Sequence, residues 1–268
     1  MNMTLDHFLL GRYIADLYAA STLESRFKVY EKYVAELGFE GVSYTFAPRA
    51  HWEVFAQMPY IFLCSTTYPK DFLTHYTEQR LDRTDFAIRK VLEGDLSPLD
   101  WREHELQRIV TSAEAKVIEL AREDYGIVNA ITIPTMMHEM GAAGASVISS
   151  EKDSTFGLLK QQKLDTLIHL TRLFHDLNFA NFNLPDKFIL PLFETLKPKE
   201  IVILQYLATG KPMKNIQDYT GISHSYATNV LAELRLRLGG INNDKLMYLF
   251  GLMKALMLFK NSKFPWSM

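Results

Sequence analysis

Apolar residues recur at helical spacing in several stretches of the chain, and β-rich runs lie between them. Leu23–Leu37 places Phe27, Tyr30, Tyr33 and Val34 on one face of a predicted helix. Gly41–Phe46 has the composition of a strand, and Glu103–Arg122 the periodicity of one long helix. Ala130–Pro134 and Ala145–Ser149 are β-rich, with a turn-prone stretch containing Gly141 and Gly144 between them. Ser154–Asn178 reads as another helix, with Leu164, Leu167, Ile168, Thr171 and Phe174 on its stripe. This order predicts an α/β (α+β) domain with helices on both faces of a mostly antiparallel sheet.

The periodicity breaks at Asn178–Lys187, where Pro185 disfavours helix in the residue before it. The chain thus divides into a first domain over 1–180, a linker over 181–193 and a second, all-α domain over 194–268. In the second domain a helix can begin at Pro198, whose fixed φ suits a first turn. Ile201, Leu204, Leu207 and Ala208 form its stripe, and Gly210 ends it. A short helix spans about Met213 to Thr220, with Ile216 and Tyr219 on one face. Gly221-Ile222-Ser223 then makes a turn, and Ser223 can cap a third helix. That helix turns Ala227, Val230, Leu231, Leu234 and Leu238 inward and leaves His224, Ser225, Thr228 and Asn229 outside near its start. Short helix, glycine-containing turn and longer helix with leading polar residues are what major-groove reading requires.

Charge sharpens the division. The chain carries net −2, but residues 186–268 hold 11 Lys/Arg against 6 Asp/Glu, and the first 185 hold 18 against 25. A basic tail on an acidic body suits a sensor joined to a DNA-binding module. The single cysteine, Cys64, excludes an intramolecular disulfide and fits a reducing cytoplasm. Met1–Ala20 is too charged for a signal peptide, with Asp6, His7, Arg12 and Asp16 in it. The most apolar run, Leu246–Phe259, is 14 residues long, short of the roughly 20 that a bilayer requires.

No catalytic motif survives inspection. His138-Glu139 is followed by Met140-Gly141-Ala142, without the second histidine of a zinc-protease helix. Gly210-Lys211 has Gln205 where a phosphate loop needs glycine and Pro212 where it needs Ser or Thr. Met136-Met137-His138-Glu139-Met140 has soft-metal character, but ordinary packing beside a turn accounts for it. An enzyme, a resident cofactor and a metal are therefore not expected.

Two sets of spaced residues give the chain a resemblance to the LuxR-type quorum-sensing regulators. One comprises Glu200, Leu204, Gly210, Ile216, Gly221-Ile222-Ser223 and Leu238. The other comprises Tyr68-Pro69, Phe72, Tyr76, Asp85, Pro98 and Trp101, followed by Gly126, Thr132 and Pro134. The resemblance implies an N-terminal αβα sandwich that binds an N-acyl homoserine lactone and a C-terminal helix-turn-helix that binds double-stranded DNA, in a cytoplasmic homodimer. It implies a ligand site at Tyr68, Phe72, Tyr76, Asp85, Trp101 and Thr132. A buried carboxylate such as Asp85 can accept an amide N–H, Tyr76 and Thr132 can donate to a carbonyl, and Tyr68 and Trp101 can form flat apolar walls. The alternative for these residues is an aromatic core in which Asp85 caps a helix.

The departures are informative. Phe72 stands where the family carries Trp, Phe86 where it carries Pro, and Ala130 where it carries Gly. Phe72 has no hydrogen-bond donor. The expectation is a pocket with its amide-reading half kept and its head-group half altered, for another acyl lactone, an acyl amide with a different head or an unrelated metabolite. In the second domain Lys197 occupies the usual Thr cap, a loss unless Thr195 substitutes. Thr228 and Ala232 stand where the family often carries Arg or Lys. Asn229 can read adenine, and His224 or Ser225 can touch phosphate. The expected phosphate contacts are Lys199, Lys211, Lys214 and Arg235, while Arg237 has a structural alternative. The rival is an anti-activator that heterodimerises with another regulator and binds DNA weakly. The helix Asn243–Phe259 is expected to expose Leu246, Leu249, Phe250, Met253 and Met257 as a dimerisation patch. Docking of the tail through Phe264 and Trp266 is its alternative.

Overall fold

A computed structural model describes residues 6–48, 61–138, 141–180, 196–238 and 240–259. The chain divides into two compact units. The first carries α1 (His7–Ala19), α2 (Leu23–Glu36), β1 (Gly41–Pro48), β2 (Ile61–Cys64), α3 (Lys70–Glu78), a 3₁₀ turn (Leu81–Thr84) and α4 (Phe86–Leu92). It continues through β3 (Leu99–Asp100), α5 (Trp101–Leu106), α6 (Ser112–Tyr125), β4 (Asn129–His138), β5 (Gly141–Ser149) and α7 (Asp153–Ala180).

The strands form one five-stranded sheet in the order β2-β1-β5-β4-β3. The β1–β2, β3–β4 and β4–β5 pairs are antiparallel. Helices α1, α2 and α7 pack together, with α7 against β4 and β5, while α4 and α5 also contact β4. Strand periodicity assigns side chains to the two faces. On β1, Tyr44 reaches His175 of α7, with its hydroxyl 2.7 Å from Nδ1. Its neighbour Ser43 serves the other face, near the buried Tyr68 phenol.

The α1/α2/α7 layer is held by buried polar groups as well as apolar packing. Tyr13 donates to the Leu170 carbonyl at 2.9 Å, Tyr30 and Thr171 share a 2.7 Å hydrogen bond, and Arg26 reaches Asn178. Thr171, His175 and Asn178 lie on one face of α7 at i, i+4 and i+7, all buried. Phe174, between them, stacks on Tyr30 and meets Tyr44 edge-on, each at 5.0 Å. Each buried phenol left without its partner would cost about 1–3 kcal/mol, so these bonds fix how α7 sits.

Two expectations for this unit need correction. The long helix over Glu103–Arg122 is two helices. Arg108 takes a left-handed φ of 56°, and Thr111 and Glu114 form a capping box that starts α6 afresh. The stretch with Gly141 and Gly144 belongs to β5, not to a turn. There Gly144 faces Pro134, and a Cβ on it would stand 3.0 Å from the Ile133 carbonyl oxygen.

The second unit carries α8 (Pro198–Leu207), a 3₁₀ turn (Met213–Asn215), α9 (Ile216–Thr220), α10 (His224–Arg237) and α11 (Asn243–Phe259). Helix α8 contacts α9, α10 and α11. In α11, Leu246, Leu249, Phe250 and Met253 are at most 5% exposed, so they form core and not a surface patch. The side chain of Met257, and residues Thr195, Phe264 and Trp266, lie outside the described residues.

Candidate functional site

The first unit gathers its candidate residues around α3. Phe72 and Tyr76 stand four residues apart on one face of that helix, and both are buried. Tyr68, just before the helix, meets Phe72 at a ring distance of 6.5 Å, and Phe72 meets Tyr76 at 5.7 Å. Burial raises the Tyr68 phenol pKa, partly offset by the nearby Ser43 hydroxyl.

Asp85 joins this wall to α4. Its Oδ2 accepts from the Tyr76 hydroxyl at 2.7 Å, and its Oδ1 accepts from the backbone N–H of Ala87 at 2.7 Å and Ile88 at 3.3 Å. The capping role and the phenol-accepting role thus coexist in one carboxyl group. The residue keeps some accessible surface, yet burial dominates the carboxyl and raises its pKa against the pull of Tyr76 and the two amides. A carboxylate offers about four lone-pair sites, so acceptor capacity remains for one more donor.

The next residue, Phe86, packs edge-on against Trp101 at 6.2 Å. Trp101 opens α5 and donates from Nε1 to Thr132 Oγ1 at 2.9 Å. Thr132 lies opposite Ser146 in the β4–β5 register, and the two hydroxyls are 2.8 Å apart. If Ser146 donates, the Thr132 proton is free for a ligand carbonyl. All six predicted residues are thereby linked into two short chains, Tyr68–Phe72–Tyr76–Asp85 and Trp101–Thr132, which meet at the start of α4.

Position is secured by ion pairs behind the site. Arg89 of α4 gives Glu114 two hydrogen bonds, from Nε at 2.6 Å and Nη2 at 3.1 Å, and Glu114 also accepts from the Thr111 N–H at 2.7 Å. Burial pushes the Glu114 pKa up, but Arg89 and Thr111 together outweigh it and the net shift is downward. Sequence reasoning passed over Ser43, Ser146, His75 and Tyr125, which complete the surroundings. The alternation Val42-Ser43-Tyr44 and Ala145-Ser146-Val147 was the available signal for the two serines. A separate open cleft of about 620 Å³ between Leu81–Thr84 and α6 is lined by none of the six candidates. Among the described residues no group of three His, Cys, Asp or Glu side chains is placed to hold a metal.

In the second unit Ser223 caps α10, accepting from the Tyr226 N–H. His224, Ser225, Thr228, Asn229 and Ala232 are exposed on α10, as are Lys199, Lys211 and Lys214 on the neighbouring elements. The Thr228 hydroxyl donates to the His224 carbonyl at 2.9 Å, within its own helix. The Lys199 ammonium lies 5.0 Å from the Tyr226 ring centre, and that of Lys211 lies 3.7 Å from Tyr219. Arg235 is half-buried, and among the described residues its Nε has no hydrogen-bond partner. Arg237 takes the structural alternative, donating to buried Glu200 at 2.9 Å.

Glu200 also accepts from the Lys197 N–H at 2.8 Å, while the Lys197 side chain makes no cap. Glu200→Ala is therefore expected to destabilise this unit by about 1–2 kcal/mol, below the full worth of a charged hydrogen bond because Arg237 is partly solvated. A lowered denaturant midpoint would measure it, and an unchanged midpoint would contradict the pinning of α8 to α10.

The chain matches the family model described as the autoinducer binding domain over residues 22–177. A search of curated protein sequences finds no relative. Among solved structures, SdiA of Escherichia coli aligns with a TM-score of 0.54 at 16% identity, covering 94% of this chain and 99% of that one. A structure of SdiA in complex with octanoyl-rac-glycerol aligns at 0.52 and 15% identity, covering 96% and 98%. At these identities the likeness is one of fold, and among the described residues no helix is long and apolar enough to cross a membrane. With the match spanning α2 to α7 and all six candidate residues inside it, the chain belongs to the autoinducer-binding domain family of LuxR-type quorum-sensing regulators.

Proposed function

We propose that this protein is a cytoplasmic, ligand-responsive transcription factor. It takes a small acylated signal, an acyl homoserine lactone or a related amide, into the layer between α3, α4 and the sheet. Its α9–turn–α10 segment serves as a helix-turn-helix that binds double-stranded DNA as part of a homodimer. The observation that carries the sensor reading is the Asp85 carboxyl, buried beside Tyr76 with acceptor capacity unspent. A buried amide N–H of a signal needs such an acceptor, and without one it costs about 1–3 kcal/mol. Exposed lysines around the polar start of α10 support the DNA reading.

A thermal melt of the purified protein against a panel of acylated ligands tests the sensor reading. The panel includes lactones of several chain lengths and octanoyl-rac-glycerol, the molecule in the SdiA complex. A ligand at about 100 times its dissociation constant adds about 2.7 kcal/mol, which raises the midpoint by several degrees. A folded protein that shifts with no member of the panel would reject this class of signal.

A second reading rests on Thr228, whose hydroxyl is engaged within α10, and on Ala232, which offers no polar atom. Direct base readout is then thin, and the protein would act by forming heterodimers with another regulator. Sequence-specific DNA binding by the pure homodimer would eliminate it.

A further inference from the structure

Phe72 stands at the centre of the aromatic wall, with the rings of Tyr68, Tyr76 and Tyr125 around it. The Tyr125 ring is the nearest, at 5.3 Å. Phe72 itself carries no polar atom. Of the three surrounding phenols, Tyr68 is buried near Ser43 and Tyr76 donates to Asp85. The third differs. The Tyr125 hydroxyl lies 2.7 Å from Nδ1 of His75, which follows Phe72 by three residues on α3. Tyr125 ends α6, and Gly126 turns the chain away in a left-handed conformation with φ 69°. His75 and Tyr125 are both half-buried, whereas Tyr68, Phe72 and Tyr76 are at most 7% exposed. The pair therefore marks the edge of the wall nearest to solvent.

Its chemistry does not depend on the tautomer. If Nδ1 holds the shared proton, the phenol O–H is free to donate and Nε2 accepts. If the phenol donates to Nδ1, then Nε2–H is the donor and the phenol oxygen keeps a lone pair. Either way, one donor and one acceptor stand side by side next to an apolar ring.

We propose that His75 and Tyr125 select the head group of the signal, favouring a hydroxyl-bearing head, which both donates and accepts, over one that only accepts. The inference rests on the signal-binding reading above. It assigns the amide to Asp85 and the head group to this pair on the neighbouring edge.

The test is calorimetric titration of N-octanoyl ethanolamine and N-octanoyl homoserine lactone, which share chain and amide and differ in the head. Tyr125→Phe keeps the ring contact with Phe72 and removes the hydroxyl. It is expected to shift the ratio of the two dissociation constants about tenfold against the ethanolamide, the worth of one hydrogen bond. His75→Leu is expected to shift the ratio the same way, and the double variant no further, because the two side chains act as a unit. The melting midpoints of the ligand-free variants should fall by a few degrees at most, the loss of one half-buried hydrogen bond. Equal weakening of both ligands, or an unchanged ratio in both single variants, overturns the assignment while leaving the sensor reading intact. A wild type that binds neither ligand overturns the sensor reading and this assignment with it.

Discussion

Replacing Asp85 with alanine is expected to abolish measurable signal binding and to lower the stability of the sensor unit by about 2–3 kcal/mol. Loss of an N-cap costs about 1 kcal/mol, and losing the buried hydrogen bond from Tyr76 adds about 1–2 kcal/mol. Asp85→Asn separates the two roles. Asparagine caps helices as well as aspartate does; with its Oδ1 on the Ala87 and Ile88 amides its Nδ2 faces Tyr76, whose hydroxyl can turn to accept from it, so the fold should stand. Binding should nonetheless weaken about tenfold, because a neutral acceptor holds an amide less strongly than a carboxylate. Calorimetric titration and chemical denaturation of both variants read the two effects separately. If Asp85→Asn binds the signal as the wild type does, the carboxylate serves the fold and not the signal.

The same residue gives a pH dependence with a defined sign. Burial raises the Asp85 pKa in the folded protein, so the native state holds that proton to higher pH than the unfolded chain does. The ligand-free protein therefore loses stability as pH rises from the ordinary aspartate range through the raised value. Signal binding that needs the carboxylate strengthens across the same window. Asp85→Asn should flatten both trends.

Arg89→Ala should carry the second large effect. It strips Glu114, which is 4% exposed, of two hydrogen bonds and leaves Thr111 facing the carboxylate. Breaking a fully buried pair costs about 3–5 kcal/mol. Arg89 is itself 34% exposed on its side chain, so about 2–3 kcal/mol is expected here. The Glu114 pKa is lowered in the folded state. Its stabilisation is thus complete above the ordinary glutamate pKa and disappears as pH falls through the lowered one. Denaturant midpoints measured across the acid range should show that loss in the wild type and not in Arg89→Ala. A common slope for the two proteins would refute it.

The sequence made the apolar frame legible because periodicity reports burial directly. The stripe of Ser154–Asn178 became α7, and Phe72 and Tyr76 fell on one face of α3. Interruptions were harder to see. Residues 107–111 keep enough polarity and helix propensity to pass for helix, and the break depends on a left-handed Arg108 and on a capping box whose Glu114 also serves Arg89. Gly144 resembled a turn residue because glycine signals both backbone freedom and close approach, and only the neighbouring strand decides between them. The apolar excess of α11 suggested a surface patch, since a sequence does not reveal how many neighbours a helix has. In the candidate site the large aromatics and the aspartate were readable. Ser43, Ser146, His75 and Tyr125 were not, because their interest lies in partners brought from distant positions.

The buried bonds along α7 have a mechanical consequence. Tyr13, Tyr30, Tyr44 and Arg26 each hold a different point on that helix through a hydrogen bond. Sliding the helix by even a fraction of a turn would break these bonds together, whereas loosening any one of them leaves the others in place. The α1/α2/α7 layer thus behaves as a baseplate with a single setting. On the proposed reading the signal enters the opposite layer, so its effect is expected in the shorter helices α3 to α6. Backbone amides of α7 should accordingly be the slowest in the sensor unit to exchange with solvent, with or without ligand, while those of α3 and α4 record its arrival.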